Sequence, residues 1–281
     1  MEKNVALYIV PTPIGNLGDI TKRAIDVLSI ADVILAEDTR HSLPMLEALG
    51  ISKPQLISYH DHNEHQKAEK IIELINEGKM VALISDAGTP LISDPGYFLV
   101  SKCREAGVKV IPLPGACAAI TALSASGLPT DAFVFEGFLP VKEKALYEKL
   151  KMHIKDKRTL IFYEAPRRIL KTIKIIAELY KGRDVVIARE LTKQFETFYS
   201  AKAENLESEL LKDLNYEKGE MVLMIAPFKG EEELDKSMEL LSVALKYLSH
   251  KDAVKMVSEF YGVKKNEIYD KALHILENTQ E

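Results

Sequence analysis

Along the first 130 residues, short apolar runs alternate with longer stretches in which apolar residues recur every three or four positions. The runs at 5–10, 33–36, 56–59, 80–85 and 108–113 are rich in Val, Ile and Leu and are bounded by turn residues, which predicts buried strands. Between them, 21–30, 43–49, 64–76 and 97–106 carry the helical period, and the last three close on Gly50, Gly78 and Gly107. Glycine just past a helix end supplies the left-handed residue that ends it. Strands alternating with helices predict a mainly parallel α/β sheet.

A second unit begins near Thr130, with strands expected at 133–138, 159–163, 185–188, 196–199 and 221–226 and helices at 144–154, 167–179 and 205–214. Two strands meet around 192–196 with no helix between them, so this sheet should be mixed. The link Gly127-Leu128-Pro129-Thr130 is too short to let the halves drift apart, and a fixed cleft between them is expected. After Pro227 the pattern changes: past Glu231-Glu232-Glu233, three helical segments are expected at 234–248, 251–261 and 265–277, with Gly262 at the middle break. The expected domains are an α/β unit at 1–128, a second at 129–228, and a helical unit at 229–281, near the lower size for folding alone.

Composition narrows the class. With 281 residues and 47% hydrophobic content, the chain can bury one large core or two moderate ones. The first apolar run is six residues long, short for a secretory signal or a membrane span, so a cytoplasmic protein is expected. Two cysteines, Cys103 and Cys117, make neither a disulfide framework nor a zinc site by themselves. The net charge of −5 argues against a general polyanion binder, but Lys142 to Lys193 holds 15 Lys+Arg against 7 Asp+Glu, a local +8. That stretch is either a polyanion-facing surface or a set of solvated helix faces.

Candidate chemistry gathers where the first sheet's strands end, the edge at which open α/β sheets bind ligands. Strand one runs into Pro11-Thr12-Pro13-Ile14-Gly15-Asn16-Leu17-Gly18-Asp19, which is neither a dinucleotide fingerprint nor a P-loop. A tight turn capping the next helix through Asp19 would explain much of it. Strand four empties into Ser85-Asp86-Ala87-Gly88-Thr89-Pro90 and then Ser93-Asp94-Pro95-Gly96, a ligand loop or an elaborate turn. Strand five ends in Pro112-Leu113-Pro114-Gly115 before Ala116-Cys117-Ala118-Ala119, where small residues open a helix and leave backbone N–H groups accessible, or simply pack it closely.

From Tyr8 to Thr21 the chain resembles the opening of the tetrapyrrole-methylase-type (class III) methyltransferases, and more narrowly their RsmI branch, which 2′-O-methylates cytidine in small-subunit (16S) ribosomal RNA. Ala36-Glu37-Asp38-Thr39-Arg40, Ser85-Asp86-Ala87-Gly88-Thr89-Pro90, Tyr163-Glu164-Ala165-Pro166-Arg167-Arg168 and Arg189-Glu190-Leu191-Thr192-Lys193 follow in the same order. Where relatives carry a glycine-rich first loop and a Gly-Asp-Pro central loop, this chain has Pro13-Ile14-Gly15 and Asp86-Ala87-Gly88-Thr89, departures that point away from the porphyrin-modifying members and toward the RNA branch, with a tetrapyrrole/corrin or diphthine-type methyltransferase of the same fold as the alternative.

The resemblance implies two α/β domains folded around S-adenosyl-L-methionine, a homodimer, and ribosomal RNA or the assembled small subunit as substrate. It implies cofactor contacts at Pro13, Ile14, Gly15, Asp86, Ala87, Gly88, Thr89, Cys117 and Ala118, with Tyr163 and Ala188 added at strand ends of the second domain. Cys117, with no His near it in sequence, reads as a small packing residue rather than a nucleophile. A ribose hydroxyl is a poor nucleophile while protonated, so a base or a nearby cation is needed. The candidates are Lys193, Glu190, Glu37 and Asp38, with Lys193 favoured; Arg189-Glu190 is alternatively a structural ion pair. Arg40, Arg167 and Arg168 are expected on the RNA backbone, the alternative being salt bridges to Glu164 or to the acidic first domain. The three histidines of Tyr59-His60-Asp61-His62-Asn63-Glu64-His65 look like a metal site at first glance, but the resemblance implies none, and the segment is expected to be a mobile loop at the cleft. The tail resembles a helix-turn-helix, yet its 8 Lys against 11 Asp+Glu from Lys229 onward do not support DNA binding. Lys264 and Lys265 are candidates for RNA contact or for packing.

Overall fold

The computed structural model describes residues 4–51, 55–60, 64–228, 231–261, 265, 268 and 269, the side chains of 231–236 excepted. Contacts divide the chain into two compact units, residues 1–154 with 158–226, and 155–157 with 227–281.

The larger unit contains two five-stranded sheets. The first comprises β1 (Leu7–Ile9), β2 (Val33–Ala36), β3 (Leu56–Ser58), β4 (Val81–Ile84) and β5 (Val110–Pro112), in the order β3-β2-β4-β1-β5 and wholly parallel. The crossover helices are α1 (Lys22–Ile30), α2 (Thr39–Ala48), α3 (Glu64–Asn76) and α4 (Tyr97–Glu105). Alternate strand residues go to opposite faces. Tyr8, Ile34, Ala82 and Ile84 pack with Ala24, Leu28 and Leu46 of α1 and α2, while Leu7, Leu35 and Leu83 pack with Ile71, Ile75 and Leu99 of α3 and α4. Both faces are covered, so β1, β2 and β4 are buried at every position, as a parallel sheet demands.

This order fixes the ligand edge. The chain leaves β1 toward β2 on one side, and leaves β4 toward β5 on the other. With right-handed crossovers, the helices after these neighbouring strands fall on opposite faces, and a crevice opens between their carboxyl ends. The loops at that switch point are those following Val10 and Ser85.

The second sheet comprises β6 (Phe133–Phe138), β7 (Thr159–Glu164), β8 (Asp184–Arg189), β9 (Thr197–Lys202) and β10 (Met221–Ile225), in the order β6-β7-β10-β8-β9. Only β6–β7 is parallel; β10 runs antiparallel to β7 and β8, and β9 antiparallel to β8, so the sheet is mixed as expected. One face carries α6 (Glu143–Met152), α7 (Ile169–Leu179) and α8 (Leu206–Leu210). The other presents Ile161, Val186, Ala188, Val222 and Met224 to Ala119, Ala122 and Leu123 of α5 (Ala118–Ala125), with Ile14 and Leu191 in the same apolar cluster. An apolar core therefore joins the two sheets through α5 and the first loop.

Three local expectations are corrected. Helix α2 begins at Thr39 rather than near Leu43, because the Asp38 carboxylate accepts from the Arg40 N–H at 2.9 Å and caps it four residues upstream. The cap of α1 is Thr21, whose hydroxyl accepts from the Ala24 N–H; Asp19 instead ends a 3-10 turn that Asn16 caps. Helix α8 stops at Leu210, where its last buried residue sits, and Leu214 is left exposed.

The smaller unit contains α9 (Glu231–Ala244) and α10 (His250–Tyr261), packed through Leu241, Ala244, Ala253, Val254, Val257 and Ile268. Ser249 accepts from the Asp252 N–H and starts α10. Most of the third expected helix, 265–277, lies outside the described residues, as does Lys264; Lys265 is exposed.

Candidate functional site

Three loops from the first sheet are tied together at its carboxyl edge. Thr12 and Gly88 exchange backbone hydrogen bonds of 2.9 and 3.1 Å, and the Thr12 and Ser85 hydroxyls donate to carbonyls of the same turn. The Thr89 hydroxyl donates to the Ala116 carbonyl at 2.8 Å, linking the β4 loop to the β5 loop. At Gly88, with φ +89°, a Cβ would lie 3.2 Å from Ile14, so the turn closes on the first loop only because glycine is there.

These loops face the second sheet across a cavity of about 490 Å³. Of the expected cofactor residues, Ile14, Asp86, Ala87, Gly88, Thr89, Cys117, Ala118, Tyr163 and Ala188 line it; Pro13 and Gly15 do not. Glu37 lines it as well, from the end of β2. Asp38 lies outside it, its carboxylate bonded to the Arg40 guanidinium, whose hydrogen bonds hold its pKa below the carboxylate range. Asp86 accepts from the Asp38 N–H at 3.2 Å and lies 3.5 Å from His41. Burial, and next the Cys117 thiol beside it, push the Tyr163 phenol above its ordinary pKa.

Backbone strain gathers in the same place. Among the described residues, four non-glycine residues have positive φ: Leu91, Ser93, Glu190 and Thr192. They lie in the loops after β4 and β8, whose Ser93 and Leu191 line the cavity. Strain of this kind, of order 1–3 kcal/mol per residue, persists where surrounding structure holds a functional loop in shape.

Lys193 and Glu190 stand just behind the cavity wall. The Lys193 ammonium lies 2.8 Å from Glu190 and 3.0 Å from Glu220, and Glu220 lines the cavity. Partial burial works against the charge on Lys193, but these two carboxylates outweigh it and raise its pKa. The two carboxylates thus favour the ammonium form of the lysine. Glu190 is held below its ordinary pKa by Lys193 and by the Glu220 N–H, against the effect of its own burial. The Arg189–Glu190 ion pair considered from sequence is replaced: buried Arg189 bonds Asp213 at 2.9 Å and the Tyr199 hydroxyl at 3.0 Å.

The three arginines separate. Arg40 and Arg167 are exposed. Arg168 turns inward, its guanidinium 2.8 Å from the fully buried Glu164 carboxylate and donating to the Leu139 and Pro140 carbonyls. Its geometry matches the salt-bridge alternative. In the histidine segment, His65 belongs to α3 with its ring 4.0 Å from Phe98, and Asp61, His62 and Asn63 lie outside the described residues.

Sequence reasoning passed over Glu220 and Phe138, which also line the cavity. Glu220 follows a Lys-Gly pair before β10 that looks like any turn, and Phe138 closes what reads as a regular strand. Among the described residues, the wall includes Glu37, Asp86, Asp94, Glu164 and Glu220 and no Lys or Arg, with Glu164 and Glu220 paired from behind by Arg168 and Lys193.

Comparison with known proteins places this geometry. The profile for Tetrapyrrole (Corrin/Porphyrin) Methylases matches residues 6–207, and that of the RsmI C-terminal HTH domain matches 231–276. A protein named Ribosomal RNA small subunit methyltransferase I from Vibrio cholerae is 52% identical over 267 residues, covering 94% of this chain and 92% of its own. Its namesake from Escherichia coli O157:H7 is 52% identical over 270 residues, covering 95% and 94%. Among solved structures, diphthine synthase aligns with a TM-score of 0.58 at 15% identity over 78% of this chain and 89% of its own. Uroporphyrin-III-C-methyltransferase from Thermus thermophilus aligns at 0.53 and 21% over 78% and 93%. At those identities the structures speak for the fold alone.

Proposed function

This chain belongs to the tetrapyrrole methylase family, in its ribosomal RNA small subunit methyltransferase I branch, and we propose that it methylates a cytidine 2′-hydroxyl of small-subunit ribosomal RNA using S-adenosyl-L-methionine. When bound, that donor supplies an electrophilic methyl group on a sulfonium. The observation that carries the reading is the electrostatic contrast between a cavity walled by carboxylates and the net-positive stretch 142–193. A small molecule carrying a sulfonium and an ammonium group suits the first, and a polyanion suits the second.

The residues fit the donor. The cavity lies within the roughly 300–1,000 Å³ usual for small organic ligands, and its wall combines apolar Ile14, Ala118 and Ala188 with the Asp86 carboxylate. Asp86, Ala87, Gly88 and Thr89 would hold the donor from the first sheet, Cys117 and Ala118 from the start of α5, and Tyr163 and Ala188 from the second. Pro13 and Gly15 act indirectly, by fixing Ile14 and giving room to Lys193: a Cβ at Gly15 would lie 2.5 Å from the Lys193 side chain. Lys193, held charged by Glu190, stabilises negative charge developing on the ribose oxygen. Glu37, which lines the cavity, accepts the hydroxyl proton in this reading. Arg40 and Arg167 contact RNA phosphates on the outside, while Arg168 supports the fold through Glu164.

We further propose two lobes, 1–128 and 129–228, with the helical unit 229–281, in a cytoplasmic homodimer; among the described residues no helix is long and apolar enough to cross a membrane. The test is transfer of labelled methyl from the donor to unmodified small subunits, followed by nuclease digestion. Label on a cytidine ribose is expected; label in a base, or none in RNA, overturns the proposal.

A further inference from the structure

At the mouth of the cavity stands an aromatic ring that contributes little to the core. Phe138 is 63% exposed, whereas Phe162, Tyr8, Tyr59 and Tyr180 are almost completely buried. It lines the cavity beside Ala165 and Pro166, directly before exposed Arg167. Resting on the function proposed above, we infer that Phe138 is the platform on which the base of the target nucleotide stacks.

The backbone is built to present this ring. Strand β6 pairs regularly with β7 through Phe135↔Ile161, but the next pair is Phe138↔Tyr163, so one extra residue is inserted. Gly137 takes φ +67° at that point. Such bulges re-aim a side chain, and they occur often beside active sites. Here the bulge turns Phe138 out to the cavity while Leu139 returns to the core at 2% exposure. The ring is also held in place: Tyr163 meets it at 5.3 Å and 66°, and Phe135 meets Tyr163 at 4.8 Å. A Cβ at Gly137 would stand 3.3 Å from the Ser93 hydroxyl, so the bulge closes against the strained loop of the first sheet.

The reaction requires a place for the base. In a ribonucleotide the base is carried on the carbon next to the one bearing the 2′-hydroxyl, so bringing that hydroxyl to a recessed donor brings the base to the cavity mouth. A nucleotide delivered there leaves its stack in the RNA, and an aromatic side chain commonly replaces the lost stacking. Exposed Lys142, Lys144 and Arg167 lie close to Phe138 in sequence or beside the cavity wall, and offer cations to the flanking phosphates.

The chain contains no tryptophan, so Phe138→Trp places its one tryptophan at the site, excited selectively over the tyrosines. Four full-length proteins are compared: wild type, Phe138→Ala, Phe138→Leu and Phe138→Trp. The expected result is a kcat/KM for small subunits lowered roughly tenfold to a hundredfold in the Ala and Leu variants, with donor affinity by calorimetry within about twofold of wild type and the melting temperature unchanged. Phe138→Trp recovers most of the rate, and its emission is quenched by a short single-stranded RNA containing cytidine but not by the donor alone. Wild-type kcat/KM in Phe138→Ala, full rescue by Leu, or an equal loss of donor affinity would each overturn the inference; the last would assign the ring to the donor. If wild type transfers no methyl to RNA, the reaction proposed above falls instead, while quenching still reads the ring's contact with a base.

Discussion

Replacing Arg168 with alanine removes the cation facing a carboxylate that has no access to solvent. The Glu164 side chain is 0% exposed, and Arg168 contacts it at 2.8 Å while also donating to the Leu139 and Pro140 carbonyls. Removing one partner of a buried pair typically costs about 3–5 kcal/mol. Glu164 would keep the Thr172 hydroxyl at 2.6 Å and the Ala165 N–H at 2.7 Å, and Arg168 is itself 20% exposed, so the lower end, about 3 kcal/mol, is expected. For a cooperative unit of this size, each kcal/mol lowers the melting temperature by roughly 2–4 °C, giving a drop of roughly 6–12 °C. Arg167→Ala, next door but exposed, should stay within about 0.5 kcal/mol of wild type. Scanning calorimetry of the full-length variants reads this contrast. Adding Glu164→Gln to the alanine variant removes the stranded charge and should restore at least half of the loss. RNA titrations at several salt concentrations read the complement: Arg167→Ala should flatten the salt dependence by about one unit of slope, and Arg168→Ala, measured well below its melting point, should not. If the two variants melt together, or if Arg168→Ala flattens the salt slope equally, the division of labour between neighbouring arginines is wrong.

Two further outcomes test the site. Lys193 has a folded pKa above its unfolded value, so its charged form stabilises the protein fully below the unfolded pKa and that contribution is lost as pH rises through the folded one; between pH 6 and 9 it stays a cation. Lys193→Gln should therefore lower kcat by a similar factor across that range, and a wild-type rate rising with pH and a Lys193→Gln rate that does not would identify the lysine as the base. Asp86→Asn keeps an acceptor for the Asp38 N–H but removes one charge from the cavity wall; donor affinity by calorimetry should fall about tenfold, and an unchanged value would move the donor away from that loop.

What the sequence conveyed and what it withheld divide by the distance over which information must travel. The strands 33–36 and 133–138 and the helix 64–76 were readable because each carries its own period and its own stop; at Gly78 the helix ends with the Lys79 N–H bonded to the Leu74 carbonyl, as glycine there predicts. The three loops that line the cavity were readable as a group too, since strands one, four and five all empty into Pro, Gly, Ser or Asp, a pattern that by itself fits a ligand loop or a turn. Nothing local, however, distinguishes Arg167 from Arg168: they are adjacent and chemically identical, and a single step around the turn at Pro166–Arg168 sends one to solvent and the other to Glu164. The same holds for Lys193, whose second carboxylate arrives from Glu220 because β10 lies beside β8 in the sheet, and for Arg189, which meets Asp213 rather than its neighbour Glu190. Phe138 is the clearest instance. Phe133-Val134-Phe135-Glu136-Gly137-Phe138 reads as one unbroken strand, and the inserted residue exists only relative to the register of β7. Charge state and side-chain direction at this site are thus properties of strand pairing, which explains why the loops could be located from the chain alone while the roles of the ions in them could not.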